Sequence, residues 1–188
     1  MKKILLTIIY MGIFSGCAAQ ILPVEEQSNY IYSGTALPES INYIKDVNGL
    51  FDRYEGTWQI NYDGFLYTFF VEKITKPVDQ FPARDLLLMR YKIENDEGNI
   101  LDDTSDLPDE HKLVIRGRYF LKGAHAYELS YLGELSACGQ NAHVIISPLQ
   151  NQLKFYFRPK NDTAEPGCMN DVSFPFPIET ALILTKVN

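Results

Sequence analysis

The sequence predicts an all-β protein, an eight-stranded antiparallel up-and-down barrel with a short N-terminal helix. Three observations support this fold class. Apolar and polar residues alternate with period two in one segment after another, which is the pattern of strands with one buried face. Polar turns separate these segments, and no long stretch has the 3.6-residue period of a helix. Aromatic residues make up 13% of the 188 residues and are almost all Tyr and Phe, a bias that favours strands.

The first 16 residues have the composition of a secretory signal peptide. Two lysines precede an apolar run that is too short to span a bilayer. Residues 14–17, Phe-Ser-Gly-Cys, resemble a bacterial lipobox, and this resemblance implies that Cys17 is lipidated and anchors the protein to a membrane. Residues 17–19, Cys-Ala-Ala, also fit an A-x-A cleavage site, in which case the signal extends to residue 19 and the product is soluble. Both alternatives predict export, as an envelope lipoprotein or as a periplasmic or secreted protein.

A linker and a lead-in segment precede the predicted strands. Residues 17–44 are weakly patterned, with scattered Pro, Ser and Glu, and are predicted to be a tether to the folded domain of residues 45–188. Residues 46–54 are predicted to form a short helix or turn that leads into the first strand.

Eight strands follow this lead-in segment. Each has alternating or continuous apolar residues bounded by polar turns, among them Asp63-Gly64, whose glycine accepts the positive φ of a hairpin turn. A polar loop over residues 95–110 separates the third strand from the fourth. Eight strands in a meander close most simply into a barrel, because closure removes exposed edges. The predicted strands cover residues 57–63, 65–75, 87–94, 113–121, 127–132, 142–147, 153–158 and 181–187.

Two cysteines remain once Cys17 is set aside. In an exported protein, Cys138 and Cys168 are predicted to form a disulfide, and no CxxC or Cys/His spacing indicates a metal site. They fall in alternate loops of the meander, which share one end of an up-and-down barrel, so the bridge and the topology agree.

The start of the first strand carries a family resemblance. Gly56-Thr57-Trp58, after a short lead-in, resembles the lipocalin and fatty-acid-binding superfamily, which implies that the Trp plugs the closed end of a barrel. Arg158 is the candidate for the arginine that packs on this Trp. The chain also resembles a family of small secreted bacterial proteins known only as a domain of unknown function, on its signal, its Gly-Thr-Trp and residues 85–93. That resemblance implies export and a β-rich domain, and it brings no catalytic residue.

A small barrel is either filled by its own side chains or holds one small ligand, and the sequence leaves both alternatives open. We expect a non-enzymatic protein that binds a small apolar ligand or an envelope component. The alternative is a protein-interaction, inhibitor or assembly lipoprotein with a solidly packed barrel. The candidate cavity residues lie on the presumed inner face: Trp58, Ile60, Tyr62, Tyr91, Tyr127, Tyr131, Phe155 and Phe157.

Other functions have weaker support, and no catalytic residue, metal ligand or cofactor is predicted. There is no Gly-x-Ser-x-Gly motif and no glycine-rich phosphate loop, although carboxylate pairs for glycoside hydrolysis stay open. The net charge of −7 argues against nucleic acid as a partner. Residues 162–164, Asp-Thr-Ala, resemble a short O-glycosylation sequon. Three histidines, candidates for metal binding or acid–base chemistry, are scattered along the sequence: His111, His125 and His143. An acidic loop is a candidate calcium site but lacks the residue order of an EF-hand loop: Asp102, Asp103, Asp106, Asp109 and Glu110.

Overall fold

The structure is a computed structural model that describes residues 20–76, 82–160, 167–168 and 172–187. The predicted signal peptide, Cys17 and the sequon at 162–164 lie outside these residues. One α-helix, α1 (Gln27–Ser33), accompanies eleven strands in the described chain. The strands are β1 (Gln20–Pro23), β2 (Ile41–Lys45), β3 (Gly56–Tyr62), β4 (Phe65–Lys76), β5 (Ala83–Asn95), β6 (Ile100–Asp103), β7 (Ile115–Phe120), β8 (Tyr127–Leu132), β9 (Asn141–Leu149), β10 (Gln152–Pro159) and β11 (Ala181–Val187).

Eight of these strands form a closed antiparallel barrel, which confirms the predicted fold class. Around the ring the order is β3, β4, β5, β7, β8, β9, β10 and β11, so each strand pairs with its neighbour along the barrel sequence. The ring closes where β11 pairs with β3, for example Thr185 opposite Gln59. The longest pairing joins β4 to β5 and runs from Phe65 opposite Asn95 to Lys76 opposite Arg84.

The first part of the described chain corrects the prediction of a tether. Residues 20–44 are folded onto the barrel: β1 and β2 pair in parallel, and β2 pairs with the start of β5. Leu22, Val24, Ile41 and Ile44 are buried in the main hydrophobic core. Their irregular spacing arises because they belong to short strands and a 3-10 turn, and such short elements carry little periodic signal.

Two smaller differences concern the lead-in segment and the polar loop. Residues 46–54 form turns, and the helix lies earlier, in α1, which ends at Gly34 with the left-handed φ of +67° that glycine accepts readily. The predicted loop over 95–110 contains β6, which pairs with the end of β5.

The helices of the described residues include none with the length and apolar character of a membrane-spanning segment.

The turns of residues 46–54 close one end of the barrel. Phe51 and Tyr54 are fully buried there, and the rings of Phe51 and Tyr127 lie 5.1 Å apart. Trp58 donates a hydrogen bond from its indole nitrogen to the Tyr54 carbonyl, at 2.8 Å. Lys186 lies over the Trp58 ring at 5.3 Å, whereas Arg158, the residue expected there, is exposed. This closed end is therefore a packed aromatic core.

Candidate functional site

The opposite, open end of the barrel receives a segment of the chain that we call the strap, residues 173–177, Ser-Phe-Pro-Phe-Pro. The Phe176 side chain is 3% exposed and lies among aromatic rings of the barrel interior. Proline has no N–H group to satisfy, so two prolines let this segment lie against apolar walls with fewer unpaired donors. Phe176 thus divides the interior into a packed lower part and an upper part near solvent. Its ring centroid lies 4.8 Å from Tyr91, 5.2 Å from Phe157, 5.3 Å from Phe155 and 5.6 Å from Phe69.

The strap is held in place near both of its ends. Gln140 donates a hydrogen bond from Nε2 to the Ser173 carbonyl at 2.7 Å, while its Oε1 accepts one from the Leu135 N–H at 2.8 Å. On the other side, the Glu179 N–H donates to the Phe157 carbonyl at 2.9 Å. The segment that contains the strap is also joined covalently to this end of the barrel, because Cys138 and Cys168 form the predicted disulfide.

Above Phe176 lies a cavity of about 730 Å³ that opens to solvent at the open end. This volume is within the usual range of small-molecule sites, roughly 300–1,000 Å³. Three aliphatic residues, Ile93, Leu101 and Leu113, contribute to the wall. Seven residues of the wall are aromatic: Tyr62, Phe65, Tyr67, Tyr91, Tyr131, Phe174 and Phe176.

The structure separates the eight candidate residues of the sequence into two groups. Tyr62, Tyr91 and Tyr131 line the cavity. The others lie outside its wall: Ile60 is partly buried against the core, and Trp58, Tyr127, Phe155 and Phe157 are buried in the core.

Sequence reasoning missed several lining residues for identifiable reasons. Phe65 and Tyr67 belong to a strand that is apolar on both faces, so its inner face could not be chosen. Leu101 belongs to the unpredicted strand β6. Phe174 and Phe176 alternate with prolines, and this Phe-Pro-Phe-Pro pattern was the available signal that a loop carries buried rings.

Two tyrosine hydroxyls and a carboxylate lie at the side of the cavity. The Tyr91 hydroxyl donates a hydrogen bond to Oδ2 of Asp102, at 2.9 Å. Burial raises the pKa of Tyr91, with contributions from Tyr131 and Asp102, and burial raises the pKa of Tyr131 to about 12. Both hydroxyls therefore stay protonated at neutral pH. Thr104 fixes the end of β6 beside them, because its Oγ1 accepts from the Tyr91 N–H and its own N–H donates to the Tyr91 carbonyl, both at 2.8 Å.

The charged groups that line the cavity all carry negative charge. Asp63, Asp102 and Glu134 contribute carboxylates, and no Lys, Arg or His belongs to the wall among the described residues. Glu134 is paired at 2.6 Å with Lys112, which lies outside the wall, and this contact lowers the pKa of Glu134. The other polar lining groups are Gln140 and Ser173.

The histidines lie apart from the cavity. His143 is partly buried on the outside of the barrel, where Nδ1 lies 2.9 Å from Oε1 of the buried Glu128. Arg118 contacts the same oxygen at 2.7 Å. His111 lies in the turn before β7, and His125 is exposed in the hairpin between β7 and β8.

The acidic loop serves mainly as local structure. Asp109 pairs with Arg90, and Asp103 accepts a hydrogen bond from the Ser105 N–H. In the part of the chain that the structure describes, no group of three or more His, Cys, Asp or Glu side chains could hold a metal ion.

Fold and site together define a closed eight-stranded barrel with one packed end and one aromatic-lined open end. No family model, curated protein or solved structure matches this chain. Its function is therefore inferred from the geometry of its own residues.

Proposed function

We propose that the protein is an exported, non-enzymatic binding protein that holds a small apolar ligand in the open end of its barrel. The observation that carries this proposal is the cavity of about 730 Å³ with seven aromatic residues in its wall. A solidly packed barrel would instead favour the alternative, a protein that acts only through its outer surface. Packing is dense below Phe176, but the space above it is open.

The wall of the cavity is held in place by contacts within the protein itself, which favours binding. Tyr91 and Tyr131 are buried, and hydrogen bonds from Gln140 and Glu179 fix the strap. A preformed site loses less conformational entropy on binding than one that must be ordered. Each square ångström of apolar ligand surface removed from water contributes roughly 25 cal/mol, so a ligand that fills even part of this cavity gains several kcal/mol.

Membrane attachment through Cys17 is part of the proposal. β1 begins at Gln20, three residues after Cys17 in the sequence. β1 pairs in parallel with β2, and β2 pairs in parallel with the first residues of β5, at the closed end of the barrel. An anchor at Cys17 therefore turns the open end away from the membrane, toward the aqueous compartment. The disulfide is consistent with the oxidising environment that export implies.

Exposed apolar residues around the open end favour a second function, docking of a partner protein. Leu101, Leu135 and Ile178 are each more than half exposed near the cavity entrance. Contiguous exposed apolar surface is typical of interaction sites. This surface is compatible with a ligand carrier that delivers its cargo to a partner.

Native mass spectrometry of the protein purified from its own host tests the binding proposal. We expect a mass excess that disappears on denaturation, together with saturable binding of an apolar fluorescent dye such as N-phenyl-1-naphthylamine. Absence of both the adduct and dye binding would contradict the ligand-binding proposal and favour the partner-binding function. For the anchor, Cys17→Ser should move the protein from the membrane fraction to the soluble fraction, and unchanged fractionation would contradict lipidation.

A further inference from the structure

We infer that the ligand is an organic cation, an apolar or aromatic molecule that carries a positively charged ammonium group. This inference rests on the proposed function and names the ligand class of the same cavity. Two independent properties of the wall support it, its charge and its aromatic surface.

The charge of the wall favours a cation. Of the three lining carboxylates only Glu134 has a cationic partner, Lys112, whereas Asp63 and Asp102 form no ion pair within the described residues. A ligand carboxylate or phosphate at the open end would lose its hydration and meet carboxylates without a compensating positive group. The whole sequence carries a net charge of −7, which also attracts cations over longer distances.

The aromatic surface of the wall favours the same ligand class. A cation that lies over the face of a Tyr, Phe or Trp ring is attracted by the electron density of that ring, and cages of several rings bind quaternary ammonium groups. Tyr62, Tyr67 and Tyr91 line the cavity in addition to the two Phe rings of the strap. Walls of this kind bind the hydrocarbon part of a ligand and its charged group together.

The contact between Tyr91 and Asp102 links the two properties. Because the Tyr91 hydroxyl donates its hydrogen bond to Asp102, its oxygen keeps lone pairs that can accept a hydrogen bond from an ammonium group. A neutral ligand that covers Asp102 would remove this carboxylate from water without pairing it, and an unpaired buried charge is costly. A cation beside Asp102 compensates for that loss.

Calorimetric titration with three ligands of equal chain length tests this inference. The probes are octyltrimethylammonium, 1-octanol and octanoate at pH 7, so that only the head group changes. We expect the cation to bind about tenfold more tightly than either of the others, a difference of the size that one cation–π or charge contact provides. The quantity compared between variants is the ratio of the cation affinity to the octanol affinity.

Asp102→Asn should lower this ratio about five- to tenfold. The asparagine amide still offers an oxygen to the Tyr91 hydroxyl, so the fold should be kept, and thermal unfolding checks this. Asp106→Asn is the matched control, because Asp106 is an exposed acid of the same loop that lies outside the cavity wall. Should the first variant unfold, Tyr62→Leu keeps an apolar side chain at an exposed position, removes the ring, and should lower the ratio about threefold.

The outcomes distinguish this inference from the proposed function. If octanoate binds as tightly as the cation, or if Asp102→Asn changes the ratio no more than Asp106→Asn does, the inference is overturned and the cavity remains an apolar site. If none of the three probes binds and the protein also shows neither a co-purifying adduct nor dye binding, the proposed function itself fails.

Discussion

The ring of Phe176 meets the ring of Tyr91 edge-on, with the two centroids 4.8 Å apart. Tyr91 belongs to the barrel wall, in β5, whereas Phe176 enters from the strap between the last two strands. This contact forms the floor of the cavity. The size of the cavity therefore depends on one loop side chain as well as on the strands.

Phe176→Ala should destabilise the fold and enlarge the cavity. Removal of a buried Phe ring typically costs about 3–5 kcal/mol, since contacts are lost and the space is not refilled. Chemical denaturation measures the cost, and binding of an apolar probe larger than the wild-type cavity accepts measures the gain in space. Phe174→Ala is the control, because Phe174 is only partly buried and should cost clearly less. Equal losses in the two variants would contradict the role of Phe176 as the floor.

Replacement of both Cys138 and Cys168 by Ser should destabilise the protein by about 3–4 kcal/mol. The bridge closes a separation of 30 residues, and this value follows from the loop entropy that the bridge removes from the unfolded chain. Guanidinium unfolding of the double variant measures it. A reductant should reproduce the loss in the wild-type protein and have no effect on the variant. An unchanged free energy of unfolding would show that the bridge contributes little.

Stability should fall below about pH 4 in part through Asp85. Its burial alone would raise the pKa, but hydrogen bonds from Tyr43, the Asp46 N–H and Thr75, with the charge of Lys73, lower it overall. A carboxylate with a lowered folded-state pKa stabilises the fold above its unfolded pKa, and this contribution is lost as the pH falls toward the folded value.

Urea unfolding between pH 3 and pH 7 tests the role of Asp85. Asp85→Asn should be less stable than the wild type at pH 7 and should lose less stability on acidification. Glu97→Gln is the control, because Glu97 is an exposed carboxylate whose nearby contacts are all within its own turn. A variant with the same pH dependence as the wild type would contradict the assignment.

Most strands of the barrel could be predicted because their side chains alternate between a buried face and a more exposed face. In β8, for example, Tyr127, Leu129 and Tyr131 point inward, so apolar residues stand at every second position of the sequence. β1 and β2 could not be found in this way, because they are short and pair in parallel across an intervening helix. Their apolar residues contribute to the core through contacts that are distant in sequence, and local periodicity carries no information about such contacts.

The cavity could be predicted only in part, since alternation shows which side chains point inward but not how deep they lie. Tyr131 and Phe157 both face the interior, and their rings lie 5.3 Å apart, yet only Tyr131 borders the cavity. The depth at which packing stops is determined by Phe176, which comes from a segment without periodicity. The sequence therefore predicted an aromatic interior and left open whether it contains a ligand site.

Leu113→Trp should lower the affinity for an apolar ligand at least about tenfold, because the larger ring occupies part of the cavity beside Tyr91 and Tyr131. Leu113 is only partly buried at the open end, so the free energy of unfolding should change by less than about 1 kcal/mol. Leu132→Trp is the matched control, since Leu132 is exposed at the end of β8 and lies outside the cavity wall. Dye titration of both variants gives the comparison. If Leu113→Trp binds the dye as tightly as Leu132→Trp does, the dye occupies another surface and the cavity is not the ligand site.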